Sequence, residues 1–269
     1  MHACYPHTIK HLKHYGRCEM MSYVIFFDMD GVLTPQAQAL ELARTIGKKD
    51  KAMKVFAGQL KKQVGLEWIL SKGATFLTGQ PENVLRKTAQ RMQMTKSVRE
   101  TITQLKDASY RPVIVTNGFT EIAAAFGERI GITEAYGNSP EVVDGKLTGE
   151  ISDGKLLTLK SKGDFVRNYL KDHGISRDHT VAVGNDENDL FMFKEVGLSI
   201  AFNPSKSIKQ SITSSFSKAM DGQRKEFIEF TRVVDIVILN DDLSKIIPFL
   251  VPKPDKFSSQ VNIDEKTIV

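Results

Sequence analysis

The sequence predicts an α/β protein with a parallel sheet and a helical segment inserted after the first strand. Three short apolar runs each end in a polar or glycine-containing group, at residues 28–31, 116–118 and 184–189. Apolar runs bounded in this way are typical of buried parallel strands that lead into loops. Because ligands bind beyond the carboxyl ends of parallel strands, we expect the three loops to form one shared site.

The strands are predicted from short runs of aliphatic and aromatic residues. They lie at Tyr23–Phe27, Val113–Val115 and Val181–Val183, with a fourth at Val234–Ile238. Alternating residues over 142–151 flank the pair Asp144-Gly145. Since Asp-Gly favours a two-residue turn, this stretch predicts a β-hairpin.

Helices are predicted between the strands from apolar residues at helical spacing. One begins near Val98, where Ser97 and Glu100 predict a capping box. Another contains the apolar stripe Phe165–Leu170 and ends at Gly174, a residue type typical of helix C-termini.

Residues 35–93 differ from the rest of the chain. They are rich in Lys and Gln, show no strand pattern, and carry apolar residues at near-helical spacing, namely Met53, Phe56, Leu60 and Val64. We therefore predict a helical insert there and a core domain made of residues 22–34 plus 94–250. Within the core, 206–231 is predicted to be a polar insertion. Residues 251–269 are predicted to be a flexible tail, and 1–21 a disordered leader or a mis-assigned start.

Composition excludes several classes of protein. The 269-residue chain has a net charge of +5, which is too mild to indicate nucleic-acid binding. No apolar run approaches the roughly 20 residues needed to span a membrane. Both cysteines, Cys4 and Cys18, lie near the start, which suits a reducing cytoplasm. Four of the six histidines also lie there, but their spacing is not that of a metal site.

The first polar group, Asp28-Met-Asp-Gly31, carries two carboxylates two residues apart. Both can face one site where the chain leaves the strand, so one can attack a phosphorus atom while the other protonates the leaving oxygen. Gly31 permits a tight turn that brings main-chain N–H groups toward a phosphate. The plain structural alternative is an acidic turn after a strand.

The other polar groups supply complementary chemistry. Thr116 and the N–H groups after it can hold phosphoryl oxygens, although Thr-Asn-Gly is also an ordinary turn. Lys162, beside Lys160, can neutralise the charge of a carboxylate and a phosphate, although a solvated lysine pair has the same sequence. The loop at 184–189 offers amide and carboxylate oxygens, the ligands that Mg²⁺ prefers, although such a loop can also simply cap a helix.

Together and in this order, the four groups resemble the motifs of the haloacid dehalogenase-like (HAD) hydrolase superfamily. Within it, the chain is similar to the phosphoserine phosphatase group over 145–149, 162–163, 181–184, 188–190 and 197–202. The resemblance implies a Rossmann-like parallel core with a small helical cap after the first strand. It also implies an aspartyl-phosphate intermediate on Asp28, acid and base catalysis by Asp30, and a catalytic Lys162 in preference to Lys160.

The resemblance also implies the binding residues. Phosphate or substrate would be held by Thr116, Asn117 and Asn188. A Mg²⁺ ion would be held by Asp28, Asp30 and the last motif, in which the candidates are Asn185, Asp186 and Asp189.

The chain departs from the family pattern at three places. Asn185 stands where the family has its metal-binding aspartate. In phosphoserine phosphatases a glutamate and an arginine of the cap recognise the substrate. The glutamate position aligns with Ala37 and the arginine position falls near Gly73. The nearby polar residues that could replace those two are Gln36, Gln38, Arg44 and Lys72.

The sequence therefore predicts a Mg²⁺-dependent phosphatase that acts on a small phosphorylated metabolite, with phosphoserine as one candidate. The alternatives are a phosphomutase, which shares the cap and the chemistry, and a non-catalytic phosphate-binding protein, which the Asn185 change permits. Neither the oligomeric state nor the identity of the substrate can be read from the sequence.

Overall fold

A computed structural model of the chain describes residues 23–60, 66–158, 160–206, 208–209, 230, 232–254, 257 and 267–268. The predicted leader, most of the predicted insertion at 206–231 and most of the predicted tail lie outside these residues. So do Val64 and the side chains of Phe56 and Leu60.

Eight strands form one sheet, in the order β4-β3-β2-β1-β5-β6-β7-β8. Neighbouring strands are parallel except β3 and β4, which form an antiparallel hairpin at one edge. The predicted α/β fold with a mostly parallel, Rossmann-like sheet is confirmed. The strands are β1 Tyr23–Phe27, β2 Tyr110–Phe119, β3 Glu134–Val143, β4 Lys146–Asp153, β5 Thr180–Gly184, β6 Leu198–Phe202, β7 Ile236–Ile238 and β8 Thr267–Ile268.

Strand β1 lies at the centre because its residues are apolar on both faces. All five are buried, and they alternate between two hydrophobic clusters. Ile25 and Phe27 pack on one side, whereas Val24 and Phe26 pack on the other. There the ring of Phe26 meets the Tyr169 ring edge-on, with 5.3 Å between the ring centroids. A strand covered on both faces in this way is typical of parallel sheets.

Helices cover both faces of the sheet. Residues of α4, α5 and α6 contribute to the cluster around Ile25 and Phe27, and residues of α7 and α8 to the cluster around Phe26. Among the described residues, four helices and no strand lie between β1 and α5, in agreement with the predicted insert; the domain boundaries stay a prediction. The helices are α1 Gln38–Thr45, α2 Lys49–Leu60, α3 Leu66–Thr75, α4 Val84–Arg91, α5 Val98–Asp107, α6 Thr120–Ile130, α7 Ser161–His173 and α8 Leu190–Phe193.

Two local predictions have opposite outcomes. The hairpin is confirmed, and its turn residues Asp144 and Gly145 have φ of 50° and 70°, as a two-residue hairpin turn requires. The capping box before α5 is wrong, because Ser97 has φ of 58° and makes no side-chain cap bond to the helix. The neighbouring Lys96 pairs with Asp242 at 3.0 Å, and its carbonyl accepts the Leu243 N–H at 3.0 Å.

No helix within the described parts of the chain is long and apolar enough to cross a lipid bilayer.

Candidate active site

The carboxyl ends of β1, β2 and β5 bring the predicted site residues together. Asp28 follows β1 directly, and its main-chain N–H donates to the Val183 carbonyl on β5 at 2.9 Å. This bond continues the sheet ladder, so the nucleophile candidate is attached to the rigid part of the fold. Its carboxyl group is buried, with 7% of the residue exposed.

A buried lysine joins two of the predicted aspartates. Lys162, in the first turn of α7, places its Nζ 2.6 Å from Asp28 Oδ1 and 2.7 Å from Asp189 Oδ1. The lysine is only 1% exposed and the Asp189 side chain is fully buried. Lys160 is exposed and lies over the Phe191 ring instead, so only Lys162 can act on Asp28.

The second oxygen of Asp189 is also occupied. Asp189 Oδ2 accepts hydrogen bonds from the main-chain N–H groups of Asn185 at 2.8 Å and Asp186 at 3.2 Å. Gly184 makes this arrangement possible, because a Cβ there would lie 2.4 Å from the Asp189 carboxylate. Asp189 therefore holds both the loop after β5 and the ammonium group of Lys162.

Asn185 lies against the backbone of the first motif at Gly31, the residue after Asp30. Asp30 Oδ2 accepts a hydrogen bond from the Gln38 main-chain N–H at 2.9 Å. Gly31 takes φ of 82°, and a Cβ at this position would lie 2.1 Å from Asn185 Nδ2. Among the described residues, Asp30 Oδ1 and Asn185 Oδ1 are both buried and have no hydrogen-bond partner.

Burial shifts the pKa values of the two aspartates of the first motif. Loss of hydration raises the pKa of Asp28 to about 7, although Lys162 lowers it. Burial, followed by the nearby charge of Asp28, raises the pKa of Asp30 to about 7. For Lys162, burial lowers the pKa, but Asp189 and Asp28 outweigh it, so the net direction is upward and the lysine is cationic.

The oxygen atoms at the ends of β1 and β5 fit a Mg²⁺ ion. A buried oxygen without a partner costs free energy unless a ligand satisfies it, and Asn185 Oδ1 is such an atom, next to the backbone of the first motif at Gly31. No three Asp, Glu, His or Cys side chains of the described residues gather into a metal-holding cluster. Mg²⁺ needs only one or two carboxylates beside amide, carbonyl, water and phosphate oxygens.

The Asp186 side chain makes different contacts from those of Asn185 and Asp189. Its Oδ1 accepts the Glu187 main-chain N–H at 2.7 Å and caps the one-turn helix Glu187–Asp189. Burial, then the interaction with Glu187, raises its pKa to about 8. Asn188 is half-buried in the same turn.

The C-terminal end of β2, where its pairing with β3 is irregular, carries the predicted phosphate-binding residues. Thr116 Oγ1 accepts hydrogen bonds from the Gly118 N–H at 3.0 Å and from Gln38 Nε2 at 3.3 Å. Asn117 Nδ2 donates to the Leu156 carbonyl at 2.5 Å. The hydroxyl is therefore held at the end of β2 with its own proton available to donate.

Sequence reasoning gave Gln38 a different role, as a possible substrate-binding residue, and missed Asn138; both shape this end of β2. Gln38 Oε1 accepts the Phe119 N–H at 3.1 Å, so its side-chain amide joins α1 to the end of β2. Asn138 on β3 donates to the Asn117 carbonyl at 2.8 Å. The only sequence signal for Gln38 is its place in the first helix after the aspartates, and Asn138 has none.

Three of the polar residues proposed to replace the absent substrate-binding Glu and Arg either contact other residues of the protein or are exposed. Gln36 Oε1 accepts the Gln93 N–H at 2.6 Å, and Arg44 pairs with Glu41. Lys72 is exposed on α3.

Comparison with known proteins gives a consistent family. A family model described as haloacid dehalogenase-like hydrolase matches residues 25–194. The phosphoserine phosphatase of Archaeoglobus fulgidus is 32% identical over 195 residues, which are 72% of this chain and 56% of that protein. The phosphoserine phosphatase of Methanocaldococcus jannaschii is 33% identical over 184 residues, covering 68% of this chain and 87% of that protein. The chain thus spans little more than half of the first relative.

Solved structures agree with the sequence relatives. A substrate-bound phosphoserine phosphatase complex superposes with a TM-score of 0.69 at 29% identity, covering 86% of this chain and all (100%) of that one. A phospho-aspartyl intermediate analogue of phosphoserine phosphatase superposes with a TM-score of 0.68 at 29% identity, covering 85% and 99%. The resemblance predicted from the motifs is confirmed: this chain belongs to the haloacid dehalogenase-like hydrolase family, in which it is similar to the phosphoserine phosphatases.

Proposed function

We propose that this protein hydrolyses phosphomonoesters of small metabolites and carries the phosphoryl group transiently on Asp28. The observation that supports this most strongly is the buried bridge of Lys162 between Asp28 and Asp189, at 2.6 and 2.7 Å. A carboxylate nucleophile repels a dianionic phosphate, so a fixed positive charge beside it lowers the cost of their approach.

In the first step, a carboxylate oxygen of Asp28 attacks the phosphorus atom. A bond forms between phosphorus and Asp28 as the bond from phosphorus to the ester oxygen breaks. Asp30 donates its proton to the departing oxygen, so the alcohol leaves neutral. A pKa of about 7 keeps a large fraction of Asp30 protonated at neutral pH, as a general acid requires.

In the second step, Asp30 takes a proton from a water molecule. The water oxygen attacks phosphorus, the bond to Asp28 breaks, and inorganic phosphate is released. Asp28 returns as a carboxylate and Asp30 as a protonated acid, so the cycle closes. During both steps the Thr116 hydroxyl and the Asn117 N–H would hold phosphoryl oxygens, with Asn188 as a further binding residue.

We further propose that Mg²⁺ binds between the first and last motifs. The Asp28 carboxylate, the Asp30 main-chain carbonyl and Asn185 Oδ1 would hold it. When bound, Mg²⁺ offsets negative charge on the phosphoryl group. The unpartnered Asn185 oxygen favours that residue over Asp189, whose two oxygens are taken, and over Asp186, which caps a helical turn.

For the substrate we propose a class, small phosphorylated metabolites, rather than one compound. The relatives are named phosphoserine phosphatases, so phosphoserine is the first metabolite to test. A phosphomutase would use the same residues but pass the phosphoryl group to a second alcohol.

The test is hydrolysis of p-nitrophenyl phosphate with and without Mg²⁺. We expect metal-dependent release of phosphate by the wild type and a loss of at least about 10³-fold in Asp28→Asn. Asp144→Asn makes the same change in the exposed hairpin turn, where Asn also tolerates positive φ, and should keep full activity.

Other results would change the assignment. Turnover retained in Asp28→Asn would exclude Asp28 as the nucleophile. Transfer to an added alcohol without release of phosphate would indicate a phosphomutase. Binding of inorganic phosphate without turnover of any ester would indicate a phosphate-binding protein.

A further inference from the structure

A cavity lies beside the proposed binding residues, between helices α1 and α3 and the end of β2. It has a volume of about 60 Å³, which suits a compact group. Most of its wall is aliphatic or aromatic, including Leu42, Ile46, Ile69, Leu70, Leu77 and Phe119.

The cavity shares residues with the surroundings of the proposed reaction site. Gln38, Asn117 and Gly118 also line it. Gln38 contacts both the acid and the phosphate-binding hydroxyl, because its main-chain N–H donates to Asp30 at 2.9 Å and its Nε2 lies 3.3 Å from Thr116 Oγ1. These contacts make the cavity the candidate space for the group attached to the ester oxygen that Asp30 protonates.

The cavity offers nothing that would recognise a charge. Its lining, as far as the structure describes it, contains no Asp, Glu, Lys, Arg or His. Its three polar side chains already have hydrogen bonds within the protein, made by Gln38 to Thr116, by Asn117 to Leu156 and by Asn138 to Asn117. An ammonium or carboxylate group placed there would lose its hydration without gaining a partner.

Building on the phosphatase activity proposed above, we propose that the preferred substrates are phosphomonoesters whose alcohol carries a compact, uncharged apolar group. An amino acid side such as that of phosphoserine is disfavoured, because its two charged groups would lie against Leu70, Ile69 and their apolar neighbours.

A matched pair of substrates tests this preference. In 2,3-dimethylbutyl phosphate, methyl groups replace the amino nitrogen and the carboxylate oxygens of phosphoserine, so size is conserved while charge is removed. We expect kcat/KM for the apolar ester to exceed that for phosphoserine by about 10²-fold or more. Equal or faster turnover of phosphoserine would overturn the inference.

A matched pair of variants tests the cavity itself. Leu70→Arg adds a cation to its wall, whereas Ser71→Arg adds the same charge to the exposed face of the same helix. We expect Leu70→Arg to narrow or invert the preference by at least about tenfold and Ser71→Arg to leave it unchanged. Leu70→Gln, a milder change, serves if the arginine variant does not fold. Equal effects of the substitutions at 70 and 71 would contradict the inference.

Hydrolysis of p-nitrophenyl phosphate distinguishes failure of the substrate inference from failure of the proposed phosphatase activity. If this ester is hydrolysed but phosphoserine is preferred over its apolar counterpart, the substrate inference is wrong and the phosphatase activity stands. If neither it nor any other phosphomonoester is hydrolysed with Mg²⁺ present, the phosphatase activity is wrong and the inference falls with it.

Discussion

Replacing Lys162 with methionine tests the charge balance at the centre of the site. The substitution keeps an unbranched apolar side chain of similar length and removes the ammonium group. Lys162 is 1% exposed, and the side chains of its partners Asp28 and Asp189 are 9% and 0% exposed. Removal of one partner from a buried ion pair costs about 3–5 kcal/mol, because the remaining charge stays buried without compensation.

The loss of stability should depend on pH in a defined direction. Lys162 lowers the pKa of Asp28, so its removal raises a value that burial has already raised to about 7. The carboxyl group of the unfolded chain keeps its ordinary pKa of 3.8. The folded variant therefore binds a proton that the unfolded chain releases above that value, and its stability falls as pH rises. The wild type shares this dependence up to about pH 7, so the difference in stability between the two proteins grows only above that pH. We expect a loss of about 2–4 kcal/mol at pH 4.5 and about 1 kcal/mol more at pH 8.

Urea denaturation followed by circular dichroism, with a chelator present, measures this loss. Lys160→Met is the matched control, since Lys160 is exposed two residues away and its loss should change stability by less than about 0.5 kcal/mol. Adding Asp189→Asn to Lys162→Met removes one buried carboxylate and should recover roughly 1–2 kcal/mol. A loss below about 1 kcal/mol at pH 8, or the same loss at both pH values, would refute the reasoning.

Three further predictions follow from the same geometry. Asn185→Asp adds a carboxylate where a buried oxygen has no partner, so it should tighten Mg²⁺ binding at least about tenfold in titration calorimetry. Asp30→Asn removes a carboxyl group whose pKa is raised from 3.8 to about 7, and so it should stabilise the metal-free protein by about 2–4 kcal/mol at pH 8 and less at pH 4.5. Gly118→Ala places a Cβ 2.4 Å from Gln38 Oε1, so it should lower kcat about tenfold, and less in a Gln38→Ser background.

Each of these predictions has a result that contradicts it. Unchanged Mg²⁺ affinity would mean that Asn185 is not a ligand. A stability gain of Asp30→Asn that does not shrink at low pH would mean that burial of a charge is not its cause. Full activity of Gly118→Ala would mean that the Gln38 amide can move without consequence for Thr116.

The strands and their catalytic ends could be predicted because the relevant signals are local. Tyr23–Phe27 is apolar at every position and is bounded by Asp28, so its burial and its end follow from five adjacent residues. The hairpin at Asp144-Gly145 follows from two residues that tolerate positive φ. By contrast, the capping box at Ser97 failed because the backbone there is left-handed, with φ of 58°, next to Lys96, which binds Asp242 and Leu243 far along the chain.

The roles within the last motif depend on distant atoms. The sequence offered Asn185, Asp186 and Asp189 as equivalent candidates for the metal. The structure distinguishes them by their hydrogen bonds: Asp189 is occupied by Lys162 and by main-chain N–H groups, whereas Asn185 Oδ1 has no partner among the described residues. Position in a motif does not reveal which side-chain atoms are free to bind a ligand.

The fold class, the family and the four groups that meet at one edge of the sheet could be predicted from the sequence, because apolar runs and short motifs are encoded by neighbouring residues. The folded structure was needed to show that Lys162 is buried between two aspartates and that Gln38 joins α1 to the end of β2. It was also needed to show that Gly73, Leu70 and Phe119 line one apolar cavity. These are properties of groups brought together from separate parts of the chain, and burial and charge balance arise only when those parts pack.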